Sequence, residues 1–430
     1  MTAGLPGATS GTGAGGAFPS PFGAGPAPAQ KARGIPPLPL LTLINFFNYL
    51  DRQVVYGMTP FIGAEFKLSF AQLGLLATVN LLVFAIASLA SGPIADRFGP
   101  RKVIFVGILV WAIATIGSAL STSYAMLLFF RALVGVGEGG YGPSANTLLC
   151  ADAPPEKRGR ALGIYNIGMA VGGTGGLALG ALLAPKIGWR GAFWIAGAPS
   201  LLLALLSAFI AAPARLPRPV SLPARAYLLS STYILALAGG VLATFGASGL
   251  IFFARPMILD VRHFSIAVGS GFMAFVGLGC GVGGVVFGGY WGDKLNRRAS
   301  GGHARAIGLS ALIQIPFGVG SLIVTDHIAF MALTAVAVFF LSVYNGPSAA
   351  VVDELGPPQF SATLQAVFMF GIHVLGNAPA PFVIGAIADH SSIPLALQLT
   401  VVAFGLAGVL LMIVARRQKA GPSFHSEAAP

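Results

Sequence analysis

The chain alternates between long apolar runs and short polar breaks. A helix needs about 20 residues to cross a bilayer. Twelve runs reach that length, centred on 38–62, 72–95, 103–121, 124–150, 158–183, 190–211, 227–257, 264–291, 305–325, 328–352, 360–388 and 392–415. The glycine-rich runs around 163–180 and 269–289 carry the weakest hydropathy signal of the twelve. The pattern predicts an all-α membrane protein with twelve transmembrane helices.

The polar breaks repeat. After the second run the sequence reads Gly92-Pro-Ile-Ala-Asp96-Arg97-Phe-Gly99-Pro-Arg101-Lys102; after the eighth it reads Gly289-Tyr-Trp-Gly-Asp293-Lys294-Leu-Asn-Arg297-Arg298. Each has a glycine, an aspartate four residues on and then a basic cluster, at the same place in each set of six runs. That is the mark of an internal repeat, so two pseudo-symmetric six-helix halves are expected. Residues 37–211 form the first half and 227–416 the second. The proline-rich stretch 212–226 reads as a linker, 1–36 as a disordered Gly/Ala/Pro tail with no cleavable signal peptide, and 417–430 as a second tail.

Composition agrees. The 430 residues are 55% hydrophobic and 9% charged, with a mean hydropathy of +0.82, where a soluble domain carries about 25% charged residues. The net charge of +12 is a matter of topology. With the N-terminus placed in the cytoplasm, eighteen basic loop residues fall on the cytoplasmic side and only Lys67, Lys186, Arg190 and Arg262 on the outer side. Both termini are therefore expected inside, nucleic acid is not an expected partner, and a monomer is expected. The low proportion of Lys to Arg points to a GC-rich bacterial genome, hence to a bacterial inner membrane. Cys150 and Cys280 offer neither a disulfide framework nor CxxC metal spacing. No phosphate loop, GxSxG or HExxH motif is present, so neither an enzyme nor a cofactor or metal is expected.

Candidate chemistry lies where charge interrupts the runs. Asp51 and Arg52 stand in the first, Arg131 and Glu138 in the fourth. Counted from the run ends at 1.5 Å per residue, Asp51 and Glu138 both sit about 20 Å in, near mid-membrane. Arg131 is two turns from Glu138 on the same face, and Asp51 and Arg52 point roughly 100° apart. This favours Arg52 pairing with Glu138. Proximity and burial both disfavour ionising two acids together; Asp51, the less compensated, is the candidate proton site, with Glu138 as its partner in coupling. With all four groups ionised the local charge is zero, and protonating Asp51 leaves a surplus positive charge that attracts an anionic headgroup. The competing reading is a salt-bridge network that only fixes the first helix against the fourth.

The Asp96 loop and its repeat resemble motif A of the major facilitator superfamily. The resemblance implies that fold, and gate roles for Asp96, Arg97, Arg101 and Asp293. The second copy departs from the pattern, with Lys294 for arginine and no glycine at the position of Gly99. Gly168, Gly172, Gly176 and Gly180 in the fifth run, and Gly277, Gly281, Gly284 and Gly288 in the eighth, would then suit a sliding contact between the halves.

A narrower resemblance rests on Asn48-Tyr49-Leu50-Asp51-Arg52, Arg131-Ala-Leu-Val-Gly135-Val-Gly137-Glu138-Gly-Gly-Tyr141, Pro155-Glu-Lys-Arg158-Gly-Arg160 and Gly188-Trp189-Arg190-Gly-Ala-Phe193. These are similar to the Spinster branch, whose members move lysophospholipids and sphingosine phosphate, some with protons. The resemblance implies a central site of Asp51, Arg52, Arg131 and Glu138, in which Arg52, Arg131, Tyr49 and Tyr141 are expected to bind the substrate.

The second half holds few buried charges. His373, near mid-depth of the eleventh run, and Asn377 one turn on are candidate substrate ligands, though a proton-relay or a packing role is equally open to the histidine. Phenylalanines are abundant there instead. One charged and one apolar wall suit an amphipathic lysolipid, anionic or zwitterionic. The expected activity is proton-coupled transport by rocking of two halves. The alternatives are a proton-coupled organic-anion or sugar-acid carrier and a non-transporting membrane sensor.

Overall fold

The structure, a computed structural model, describes residues 34–153, 158–211, 225–357 and 361–420. Most of the expected tails and linker lie outside that set, as do the side chains of Asp96 and Cys150. The described chain is helical almost throughout. The first half holds α1 (Pro37–Phe66), α2 (Phe70–Phe98), α3 (Pro100–Ala119) and α4 (Tyr124–Asp152), then one helical stretch, Arg158–Ser207, that breaks at Gly188 into α5 and α6.

In the second half α7 runs Ser231–Arg255 and continues as a wide turn through Pro256–Val261. Helix α8 runs Ile266–Ala274, Phe275–Gly281 and Val282–Asn296. Helix α9 is Gly302–Ile323, and α10 is His327–Ser342 with a broken end through Ser348–Asp353. Helix α11 runs Ser361–Gly371, Ile372–Asn377 and Pro379–His390, and α12 is Ile393–Ala420.

Nine of the described helical stretches are long and apolar enough to cross a membrane. One of them, 161–207, is the α5–α6 pair; α1 and α4, diluted by their charges, are not among the nine. Together they make the twelve crossings that the hydropathy pattern predicts.

Local chemistry sets the helix ends. Ser69 and Gln72 form a reciprocal capping box at the start of α2, and Ser123, Ser230, Ser265 and Asp326 each accept a backbone N–H at the start of α4, α7, α8 and α10. Gly99, at φ 87°, and Pro100 turn α2 tightly into α3; a side chain at that φ is strained. The second copy of the loop lacks this glycine and makes a longer turn. Asn296 accepts the N–H of Gly302, after Gly301 at φ 79°.

The glycine ladders correct one expectation. In the structure Gly168, Gly172, Gly176 and Gly180 lie against the backbone of α1, at Thr42, Phe46, Leu50 and Val54, and Gly284 and Gly288 lie against Phe339 and Val343 of α10. Both ladders therefore pack within their own half. Of the eight, only Gly277 faces the other half, at Thr174. Closest approach is used to lock α1 to α5 and α8 to α10, because a missing Cβ lets two helix backbones touch.

Buried side chains form three clusters. Near the chain termini each half has its own core, with Ile44, Ile108, Trp111, Leu148 and Leu203 in the first and Tyr233, Ile307, Val352, Leu364 and Leu411 in the second. At the opposite end one cluster spans both halves and joins Tyr56, Ile62 and Leu73 to Phe252, Met257, Phe272 and Ile384. Polar contacts tighten this shared end. The carboxylate of Asp389 on α11 accepts the N–H groups of Phe70 (2.6 Å) and Ala71 (2.9 Å) at the start of α2, where the helix dipole favours a negative charge. The halves are thus joined at the end away from the termini and separately packed near them.

Candidate functional site: four buried charges between α1 and α4

Helix α1 is buried along most of its length, held by the α5 glycines on one side. The polar positions in its middle, Asn45, Asn48, Asp51 and Arg52, are therefore buried. Asn45 donates to the carbonyl of Tyr165 (3.0 Å), and the hydroxyl of Tyr141 on α4 donates back to that of Leu41 (2.9 Å). Further along α1 from these anchors Asp51 and Arg52 come together with Arg131 and Glu138, each no more than 6% exposed.

Arg52 donates from Nε (3.1 Å) and Nη2 (2.8 Å) to the same oxygen of Glu138, Oε2. This is the pairing that the helix geometry implies. The other pair is looser. Arg131 Nη1 lies 3.9 Å from Asp51 Oδ2, close enough to attract but too far for a hydrogen bond. The nearest donor to that oxygen is the hydroxyl of Thr115 on α3, at 2.7 Å. Asp51 Oδ1, Glu138 Oε1 and Arg131 Nε and Nη1 are buried with no hydrogen-bond partner among the described residues. A site of fixed charges with spare donors and acceptors is equipped to bind something more.

The rim is aromatic. The Arg52 guanidinium lies 4.4 Å from the ring centroid of Phe84 on α2 and 5.0 Å from that of Tyr49. The imidazole of His373 stacks against the same Phe84, at 5.7 Å and 28°, so it stands beside the charges. Asn377 is half-buried, and its carbonyl accepts from Ser248 (2.9 Å). The Tyr141 ring meets Trp111, and with its hydroxyl bound to α1 it reads as a clamp on the site wall.

The expected gate residues lie apart from this centre, at the end nearer the termini. The side chain of Asp96 lies outside the described residues. Arg97 is exposed over its neighbour Phe98, and Arg101 reaches the carbonyl of Ile210 at 3.4 Å. Asp293 has a partner that the sequence does not announce: its Oδ1 is 3.0 Å from Nε2 of His303, whose Nδ1 is 2.6 Å from Glu354 Oε1. Asn296 also donates to Glu354 (2.8 Å). An imidazole facing two carboxylates satisfies both only when both nitrogens carry a proton.

Thr115, Asn80, whose amide holds the carbonyl of Arg131 (3.2 Å), and Phe84 were not legible as site residues. The one signal was position. Asn80 and Thr115 are isolated polar residues in apolar runs, and Phe84 falls one turn beyond Asn80.

Residues 41–376 match the family described as Major Facilitator Superfamily. The chain belongs to the Major Facilitator Superfamily. An MFS-type efflux pump of Mycolicibacterium smegmatis is 27% identical, with 92% of each chain covered. The probable sphingolipid transporter spinster homolog 1 of Arabidopsis thaliana is 26% identical over 84% of this chain and 85% of that protein. The crystal structure of a bacterial homologue of the human lysosomal transporter Spinster, inward-facing and occupied, shares the fold. It gives a TM-score of 0.79 at 24% identity over 90% of this chain and 98% of that one. The facilitator family is one of transporters and not of enzymes, so this protein is a multi-pass membrane transporter.

Proposed function

We propose that the protein carries an amphipathic anionic or zwitterionic lysolipid, coupled to protons, by rocking its halves about the Asp51–Arg52–Arg131–Glu138 cluster. The observation that carries this reading is the asymmetry between the two ion pairs. Arg52 and Glu138 are tightly bonded, whereas Arg131 stands 3.9 Å from Asp51 and keeps unpartnered nitrogens. Arg131 is then the guanidinium free to take a phosphate-like headgroup, since its planar fork matches such oxygens. Asp51 is the acid free to take a proton on its unpartnered Oδ1, while Thr115 holds Oδ2. Glu138 sets the charge balance through Arg52. Protonating Asp51 leaves one positive charge uncompensated in a water-poor site, which draws in the headgroup; deprotonation restores neutrality and weakens its hold.

The cargo's apolar part follows from the other half. Among the described residues its buried charged groups, Arg255 and His303, lie at helix ends and not at mid-depth. That wall offers hydrocarbon and aromatic surface, with His373 and Asn377 as its polar contacts. A small hydrophilic acid would need polar groups on both sides. Similarity over most of its length to a probable sphingolipid transporter supports a lipid-like cargo. The bias of basic residues supports an inner-membrane protein with both termini cytoplasmic, and therefore a cytoplasmic-facing state in this structure. Asp96, Arg97, Arg101 and Asp293 would meet across the halves when that end closes. The protein is read as a monomer.

The test is transport into proteoliposomes under an imposed pH gradient, with fluorescent lysophosphatidylethanolamine and radiolabelled glucuronate as competing probes. The wild type should move the lysolipid faster when the gradient is present. Asp51→Asn, which keeps the size and the Thr115 contact, should remain folded and lose the pH dependence. Glucuronate flux without lysolipid flux would replace the lysolipid reading with the organic-anion one; binding without any flux would indicate a sensor. Unaltered pH dependence in Asp51→Asn would remove Asp51 from the proton path.

A further inference from the structure

The Phe84 ring touches charged chemistry from one half and a titratable side chain from the other. It sits on α2, whose start is tied to α11 by the Asp389 carboxylate and whose Gly74 lies against the backbone of Pro381. Further along α2, at the depth of the charges, the Phe84 ring meets Arg52 (4.4 Å) and the His373 imidazole (5.7 Å).

His373 is unusually placed. It lies in the segment Ile372–Asn377, where the helix widens and the N–H of Ala378 reaches back five residues to the carbonyl of His373 (2.9 Å). Such local widening recurs at functional sites because it re-aims side chains and leaves the helix easily re-registered. Gly376, in the same segment, lies against Thr244 and the backbone of α7. The His373 Nδ1 is buried without a hydrogen-bond partner.

We propose that Phe84 is a positioning residue that carries the state of the Arg52–Glu138 pair to α11 of the other half. An aromatic face attracts a guanidinium through its quadrupole and an imidazole by stacking. Arg52 and His373 are thus both held by the one ring. When Arg52 shifts toward a bound anion, the ring loses the cation that held its orientation and turns, and His373 loses the fixed face against which it was stacked. The imidazole, with no bond at Nδ1 to hold it, moves, and the widened segment of α11 follows. A leucine at this position fills similar volume but presents no face to either group. The inference rests on the proposed reading in that an anion enters beside Arg131, and adds to it a shift of Arg52 within the same cluster; it holds for any anionic cargo.

The experiment reads His373 directly and needs no cargo. Full-length protein in nanodiscs, with its six histidines isotopically labelled at the ring, gives a His373 NMR signal identified by its loss in His373→Asn. Arg52→Lys keeps the charge and its attraction to Glu138 but withdraws the planar group from Phe84. This change should displace the His373 signal in the Phe84 protein and leave it nearly still in Phe84→Leu, with Phe84→Tyr restoring the displacement. Phe84→Met, a flexible filler, serves in place of leucine should the leucine variant not fold. In the same series, uptake of fluorescent lysophosphatidylethanolamine should fall about thirtyfold with leucine and recover with tyrosine, the size expected from losing a desolvated cation–π contact. Equal displacement with phenylalanine and leucine, or none with phenylalanine, overturns the proposal. Absence of lysolipid uptake by the wild type tells against the lysolipid reading alone, because the NMR comparison still decides the role of Phe84.

Discussion

The centre of the first half and the terminus-side end of the second are built from similar parts to different effect. In the first, two carboxylates meet two guanidiniums at mid-depth, with the Glu138 side chain 0% exposed. In the second, Asp293 and Glu354 flank one imidazole at the helix ends, with their side chains 62% and 18% exposed. Water makes the difference. Charges sealed from solvent must be balanced within the cluster, so any change in one is felt by the others; charges at the edge are screened and act as local ties. The first arrangement suits a site where a proton alters affinity. The second suits a brace between α8, α9 and α10.

This contrast can be broken by removing one acid at each degree of burial and measuring the melting temperature in detergent. Glu138→Gln leaves Arg52 buried without a counter-charge and should cost about 3–5 kcal/mol, the range for breaking a buried pair, with loss of transport. A normal melt for this variant would mean that the pairing carries no energy. Glu354→Gln keeps an acceptor for His303 but removes the charge, and should cost about 1–2 kcal/mol, as for one charge-assisted hydrogen bond; a loss as large as that of Glu138→Gln would erase the distinction by burial.

The smallest effect is expected at the end opposite the termini. There Glu65 accepts two hydrogen bonds from Arg190 (2.8 and 2.7 Å) and one from Trp189 (2.7 Å). The Arg190 bonds, aided by Trp189 against a smaller opposing effect of burial, hold this carboxyl below its usual range. A lowered acid stabilises the fold fully above its unfolded pKa, and that contribution fades as pH falls through the lowered value. The pair is about 40% exposed on each side, so Glu65→Gln should cost less than about 1 kcal/mol. The deficit should shrink in melts taken at progressively more acidic pH; a deficit that grows there would reverse the assignment.

Much of this was legible in the order of residues. Hydropathy determined the twelve crossings, because each helix must span the same oily thickness. The repeated Asp96 and Asp293 loops determined the two halves. The depth of Asp51, Arg52 and Glu138, counted along two helices, determined that these three share a level, with Arg131 two turns away on the Glu138 face, and the angular spacing favoured Arg52 reaching Glu138. These are one-dimensional facts, since rise and rotation per residue are fixed by the backbone.

What lies between helices was decided only by tertiary structure. The glycine ladders could serve any neighbour, and only packing assigned them to α1 and α10. Thr115 and Asn80 look like stray polar residues until α3 and α2 bring them to Asp51 and to the backbone of Arg131. His303 and Glu354 stand 51 residues apart and meet because the start of α9 lies beside the end of α10. Which end of the molecule is closed follows from how the shared core and the Asp389 tie are distributed, and the same covalent chain permits either choice. Sequence fixes what each helix can present; only the relative placement of helices fixes what it meets.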